Sequence, residues 1–346
     1  MKFGGILRGW YKKNKRDLPW RYTRDPYKIW LSEVIMQQTR VNQGLKYYLE
    51  FVKTFPNVAS LAAAHEDEVL KKWQGLGYYS RARNLHQAAK DIDSQMGGKF
   101  PDNYEGLLGL KGVGNYTASA IASICFGEPK AVVDGNVSRV VARLFGVEEP
   151  INSTSGGKTI TSLADQMLDR NDPGTHNQAI MEFGALQCVP VSPNCSICPL
   201  AEQCNALLSG RVFQLPVKIP KKKPKKRWFY FYIYRCNGKI ILTKRGTEDI
   251  WKSLYQFPGI ESDEALTEKM VIENVVTSSL PFSILKISPE IKHQLTHRTI
   301  LARFIHVDLQ QWPEELPPGW IKISLDQVND YPVSRLINRY MESAIF

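Results

Sequence analysis

A change of period at residues 216–227, PVKIPKKKPKKR, constrains this chain more than any other feature. The stretch is proline-punctuated, intensely basic and without apolar periodicity, which is the composition of a linker. Before it the apolar residues fall at helical spacing, and no strand pattern occurs before residue 210. After it, Trp228-Phe229-Tyr230-Phe231-Tyr232-Ile233-Tyr234 reads as a strand by its aromatics, Asn237-Gly238 as a two-residue hairpin turn, and 239–244 as the returning strand. Mixed strands and one or two helices fill the rest. The expected organisation is an all-helical domain over 1–215, a basic linker over 216–227 and an α+β domain over 228–346, within the usual range of domain sizes.

Lysine and arginine outnumber aspartate and glutamate by 45 to 34, a formal net charge of +11. A surplus of that size points to a polyanionic partner, although a merely soluble basic protein can show the same balance. No apolar run reaches the roughly 18 residues of a membrane helix, so no membrane partner is expected. The opening stretch, MKFGGILRGWYKKNKRDLPW, has neither a long apolar core nor a small-residue cleavage site, and an export signal is not expected. Six cysteines without such a signal argue against a disulfide framework. A cytoplasmic, nucleoid-associated protein is the expectation. The nucleus is the alternative, because the linker's lysines suit a nuclear address as well as a phosphate backbone.

In chain order, residues 2–15 read as a basic amphipathic helix that Pro19 interrupts. Asp25-Pro26 reads as the start of a second helix, running through YKIWLSEVIMQQT to Thr39. Glu33 lies in it among Trp30, Val34 and Ile35. A carboxylate buried there must find a partner or take up a proton; facing solvent it would need neither. The loop GLGYYSR at 75–81 brackets two aromatics with glycines, a composition suited to base stacking or wedging into a duplex and equally to a packed helix corner. At 108–114, LGLKGVG, glycines allow close backbone approach. Gly112-Val113-Gly114 would there offer N–H groups to an anion at the start of a helix over 116–125; an ordinary glycine-rich turn is the other reading. Asp134 is placed as a helix N-cap, where backbone N–H groups and the helix dipole favour the ionised carboxylate. Residues 155–187 hold two more helices. Cys188, Cys195, Cys198 and Cys204 follow, with six, two and five residues between them. Such spacing means a metal, zinc or iron–sulfur, and does not choose between the two.

WLSEVIMQQTR, GLGYYSRAR, LKGVGNYTA, VVDGNVSRV and this cysteine spacing together resemble the helix-hairpin-helix base-excision glycosylases with an iron–sulfur cluster, above all those of the MutY type, the adenine DNA glycosylases. The likeness runs essentially the whole length of the chain. It implies an all-α helix-hairpin-helix glycosylase domain followed by an α+β Nudix-like domain. It implies a monomer that excises adenine mispaired with 8-oxoguanine or guanine in double-stranded DNA, and a 4Fe–4S cluster on Cys188, Cys195, Cys198 and Cys204. Glu33 and Asp134 fall on the family's catalytic pair, and Tyr116 and Asn136 on the residues that position it. Arg21, Gln38, Thr39, Leu76, Tyr78, Gly112, Gly114 and Gln178 fall on positions that contact DNA or the base, although some members carry glutamate where Gln178 stands. Thr296 and His297 fall on a Phe-Ser-His loop that reads 8-oxoguanine, with Leu295 replacing the aromatic. WKSLYQFPG at 251–259 matches the segment before the Nudix signature. The metal-binding Arg-Glu-x-x-Glu-Glu core does not follow it, so no nucleotide pyrophosphatase activity is expected.

The chemistry fits two carboxylates in different protonation states. A base inside a duplex must be flipped out, with Gln38 and Tyr78 the candidates to fill or wedge the gap. Cleavage of its N-glycosidic bond leaves an oxocarbenium-like sugar. A neutral Glu33 would protonate the departing adenine and an ionised Asp134 would face the sugar. An endonuclease III-like glycosylase with lyase activity needs an amine nucleophile where this chain has Tyr116. A non-catalytic binder of damaged DNA would need neither carboxylate.

Overall fold

The computed structural model describes residues 3–220, 223–246, 249–275 and 280–343. Lys221 and Lys222 of the basic stretch, and the last three residues of the expected second domain, lie outside the described residues. The chain divides into two compact units: Met1–Ala63 with Asn84–Pro220, and Ala64–Arg83 with Lys221–Phe346. The division is discontinuous. A twenty-residue excursion inside the helical region of the sequence packs with the second unit, where the sequence reading placed one unbroken domain over 1–215.

The described residues of the first unit contain helices and no strand. Its central element is the helix Asn115–Phe126, in which every residue from Thr117 to Ile124 is buried. A helix apolar all round must be enclosed by neighbours, and its small Ala and Ser side chains let them come close. The helices Pro26–Met36, Tyr104–Leu108 and Pro173–Leu186 pack on it. At Gly174 a Cβ would meet the Ser123 carbonyl oxygen at 2.8 Å, so the crossing admits only glycine. Pro173–Leu186 also lies against the helix Gly135–Phe145, so tightly that a Cβ on Gly184 would meet that of Asn136 at 2.7 Å. The first helix, Phe3–Asn14, buries Phe3, Leu7 and Tyr11 at four-residue spacing.

Two turns depart from the sequence expectation. The helix capped by Asp25 ends at Met36 rather than at Thr39. The Thr39 N–H folds back to the Met36 carbonyl at 3.1 Å, and Gln38 adopts φ +54°, a conformation no helix contains. In the turn before Asn115, the Val113 N–H donates to the Leu110 carbonyl at 3.1 Å and is not available to an anion. The N–H groups of the following helix's first turn have no partner within that helix.

In the second unit the strands are β1 (Lys225–Cys236), β2 (Lys239–Lys244), β3 (Tyr255–Gln256), β4 (Gly259–Ser262), β5 (Phe282–Ile287), β6 (Ile291–Gln294), β7 (Arg298–Leu309) and β8 (Trp320–Ser324). They form one mixed sheet in the order β3-β2-β1-β7-β5, with β4 on β1, β6 on β7 and β8 on β2. β1 and β7 run parallel, and the pairing begins at Lys225 with Arg298. Residues 225–227 are therefore strand rather than linker, because the ladder to β7 satisfies their backbone groups. β1 alternates between two cores: Phe229, Phe231 and Ile233 face one, Tyr230, Tyr232 and Tyr234 the other. Helix Arg335–Ser343 covers the first face and helix Glu268–Glu273 the second. Asn237 and Gly238 turn β1 into β2 with φ +48° and +69°, the double positive φ of a type I′ hairpin.

Candidate active site

Within the first unit a cleft of about 1210 Å³ opens between the helix Pro26–Met36, the start of Asn115–Phe126 and the start of Gly135–Phe145. Glu33 lines it from a largely apolar helix and is nearly inaccessible to solvent. Its Oε2 accepts a 2.5 Å hydrogen bond from the Tyr116 hydroxyl, which also touches the Met181 sulfur. Burial pushes the Glu33 carboxyl up to about 7; the Tyr116 hydrogen bond pulls the other way, and the nearby Asp134 charge adds to the rise.

Asp134 caps its helix, accepting from the Val137 N–H at 2.7 Å, and its other oxygen accepts from the Asn136 amide at 2.8 Å. Burial raises this carboxyl too, by less, because the Val137 and Asn136 donors favour the ionised form. The two carboxyls thus share one cleft in unlike settings, one meeting a single phenol and the other bound by several donors.

Asn136 is itself held. Arg139 donates to its Oδ1 at 3.0 Å, to the Gly184 carbonyl at 2.6 Å and to the Cys188 carbonyl at 2.7 Å. Arg21, Gln38, Thr39, Gly114 and Gln178 line the same cleft. Arg21 is fixed against Glu182, its Nη2 lying 2.5 Å from Oε2, and Arg16 completes the pair of guanidiniums around that buried carboxylate. Burial would raise Glu182, but hydrogen bonds from Arg16 and Arg21 overrule it and hold the carboxyl near 2. Tyr11 donates to Gln178 Oε1 at 2.7 Å.

Residues 31–156 match the family described as HhH-GPD superfamily base excision DNA repair protein, and residues 229–343 match the NUDIX domain. An adenine DNA glycosylase from Buchnera aphidicola subsp. Baizongia pistaciae is 34% identical over 297 residues, covering 85% of this chain and 82% of that one. The adenine DNA glycosylase of Homo sapiens is 32% identical, covering 97% of this chain and 73% of its own. The chain belongs to the adenine DNA glycosylases.

Solved structures share their fold with a little over half of this chain. A thermostable thymine-DNA glycosylase aligns with TM-score 0.55 and 29% identity, covering 60% of this chain and 95% of its own. Endonuclease III in a non-covalent DNA complex aligns with TM-score 0.52 and 21% identity, over 60% of this chain and 94% of its own.

Gly112 adopts φ +77° and packs against Asn84, so it serves the turn itself, whereas Gly114 faces open space at the helix start. Leu76, Tyr78, Thr296 and His297 all belong to the second unit. Leu76 is buried there, while Tyr78 is 46% exposed. Thr296 and His297 are exposed in the turn between β6 and β7, and Leu295 is tucked against the Phe229 core rather than offered for stacking. Tyr78 and Gln38, the two wedge candidates, are both non-glycine residues at positive φ, +49° and +54°, the kind of backbone strain that gathers at functional sites.

Cys188, Cys195, Cys198 and Cys204 line one small cavity with Arg143, and no His, Asp or Glu among the described residues lines it. Arg143 reaches from the helix Gly135–Phe145 to the Cys188 sulfur at 3.4 Å and to the carbonyls of Val189, Pro190 and Leu215. Among the described residues no three His, Cys, Asp or Glu side chains converge closely enough to hold a single metal ion.

Sequence reasoning missed Tyr11, Arg139, Arg143 and Glu182. The available signal was charge inside apolar helical runs: Arg139 and Arg143 four residues apart in VSRVVARLF, and Glu182 within IMEFGAL.

Proposed function

We propose that this glycosylase removes adenine opposite 8-oxoguanine or guanine in duplex DNA by hydrolysis, without strand cleavage of its own. The observation that carries the reading is the Glu33–Tyr116 pair beside Asp134 in one cleft. A carboxyl lifted to about 7 is a proton donor poised for neutral pH. The adenine enters the cleft flipped from the stack. Glu33 delivers its proton to N7 as the C1′–N9 bond breaks, and the bonding pair leaves with the base. Asp134, whose Val137 and Asn136 donors favour the ionised form against the rise that burial brings, stabilises the positive charge on the sugar. Glu33, now ionised, takes a proton from the water that adds to C1′, which restores the starting state.

Tyr116 stands where a lyase would need an amine, and a phenol with its proton locked on Glu33 forms no Schiff base. This supports hydrolysis over the endonuclease III-like alternative. Tyr78 wedges the duplex, and Thr296 and His297 read the 8-oxoguanine edge, since a hydroxyl both donates and accepts. The protein acts as a monomer.

The four cysteines hold a 4Fe–4S cluster. A donor set of thiols alone suits iron–sulfur. The spacing of six, two and five residues between them is the one that accompanies such a cluster in the family the chain resembles. With a cluster bound, Cys188 and Cys204 would hold the two ends of the 188–204 loop together. Arg139 and Arg143 tie that loop to the helix that carries Asp134.

The test is to incubate the protein with A:8-oxoguanine and A:G duplexes and score strand breaks with and without alkali. Breaks only after alkali, faster on A:8-oxoguanine, are expected. Breaks without alkali would make it a lyase, and none under either condition would make it a binder.

A further inference from the structure

The excursion Ala64–Arg83 is bolted to the second unit along its whole length. At one end Asp67 pairs with Lys244 at 2.7 Å and accepts from the Tyr255 hydroxyl at 3.2 Å. In the middle Lys71 donates to the Tyr331 carbonyl at 3.4 Å. At the other end Arg83 donates to the Lys252 carbonyl at 2.8 Å. Val333, which is fully buried, is held by both of its backbone groups. Its N–H donates to Gln74 Oε1 at 3.2 Å and its carbonyl accepts from the Tyr79 hydroxyl at 3.0 Å. Gln74 uses its amide nitrogen as well, donating to Asn338 Oδ1 at 2.6 Å.

Between Gln74 and Tyr79 lies Tyr78. Its loop is stiff: Gly75 and Gly77 supply positive φ on either side of Leu76, and the Trp73 indole N–H and Arg81 both donate to the Gly77 carbonyl, at 3.0 and 3.2 Å. Outside this clamp the Tyr78 hydroxyl meets Thr296 Oγ1 at 2.5 Å. Residues 218 apart in sequence are thus held tip to tip on one body.

We propose that Gln74 and Tyr79 are positioning residues that couple the wedge to the lesion reader, so that recognition of 8-oxoguanine by Thr296 and insertion of Tyr78 form a single event. The inference rests on the proposed reading of Tyr78 as wedge and Thr296 as reader. Two side chains in one rigid frame meet the duplex at a fixed separation, and ordering one of them leaves little further entropy to lose for the other. Neither Gln74 nor Tyr79 lines the cleft that holds Glu33 and Asp134. Loosening them should therefore spare base removal itself.

The experiment measures single-turnover excision by the full chain on A:8-oxoguanine and A:G duplexes for wild type, Gln74→Ala, Tyr79→Phe, Thr296→Val and the double variant of Gln74→Ala with Thr296→Val. We expect Gln74→Ala and Tyr79→Phe each to lower the preference for A:8-oxoguanine over A:G several-fold, with the A:G rate within about twofold of wild type. We expect the double variant to be no worse than Thr296→Val alone, because the anchors act through that contact. Thermal unfolding shows whether each variant is folded at the assay temperature, and Tyr79→Phe, which deletes one oxygen, serves where Gln74→Ala does not fold. If Thr296→Val abolishes the preference while both anchor variants keep it, the coupling is overturned and the reader stands. If Thr296→Val leaves the preference intact, the reader reading falls and the coupling with it.

Discussion

Glu33 makes the rate of base removal a titration. Its carboxyl sits at about 7, and only the protonated form can donate. Single-turnover excision should be flat on the acid side of 7 and fall about tenfold for each pH unit above it. The Tyr116 hydrogen bond pulls this value down, so its removal has a definite direction. A hydrogen bond to a charged group is worth about 1.5–3 kcal/mol. At 1.36 kcal/mol per unit, Tyr116→Phe should move the alkaline limb up by about one to two units, whatever it does to the plateau. Stability follows the same group. The folded protein keeps the Glu33 proton until about 7, and the unfolded chain releases it near 4.5. The stabilisation is therefore complete below 4.5 and is lost as pH rises through 7, about 3 kcal/mol in all, and Glu33→Gln should flatten that slope. The assay is quenched-flow excision on an A:8-oxoguanine duplex between about pH 6 and 9 with enzyme in excess. A wild-type rate independent of pH across that span, or a limb that shifts downward in Tyr116→Phe, would refute the reasoning.

Three more outcomes follow from the same geometry. Tyr116→Lys places an amine on the cleft wall and should yield a borohydride-trappable protein–DNA adduct; a variant that still removes adenine without any adduct would put Tyr116 away from the sugar. Glu182→Gln leaves Arg16 and Arg21 without their buried counter-charge and should cost about 3 kcal/mol in urea unfolding at neutral pH. Because the Glu182 carboxyl is held near 2, its contribution is present above 4.5 and is lost as pH falls through 2, so the gap between the two proteins should close in acid. Purified protein should be brown, with four irons per chain, and Cys198→Ser should lower the iron content; one zinc and no iron would overturn the cluster assignment.

Much of this was legible because it is local. Phe229 to Tyr234 alternate strictly, so the strand and its two faces follow from period two alone. Asp134 and Asp25 stand one residue before helices that they cap, and their side chains do what short acceptors do at that position. The illegible features depend on long-range pairing. Glu182 meets Arg16 and Arg21 across 166 and 161 residues, and nothing in IMEFGAL names those partners. Leu295, which stands where the family carries an aromatic, packs half-buried against the Phe229 core, a contact that nothing in QLTHR announces. Residues 225–227 read as linker because they are charged, whereas an exposed strand end tolerates charge as long as its backbone is paired.

The excursion Ala64–Arg83 also changes what a truncation means. Cutting this chain in the basic stretch would not yield a pair of independent pieces. A fragment ending at Pro220 would carry the wedge without its seat, with Gln74 missing Val333 and Asn338 and Tyr79, now 5% exposed, missing the cover that Val333 gives it. A shortened form should therefore be prone to proteolysis near Gln74 even where its catalytic cleft is intact, and loss of lesion preference in it would not by itself distinguish an absent reader from an unmoored wedge.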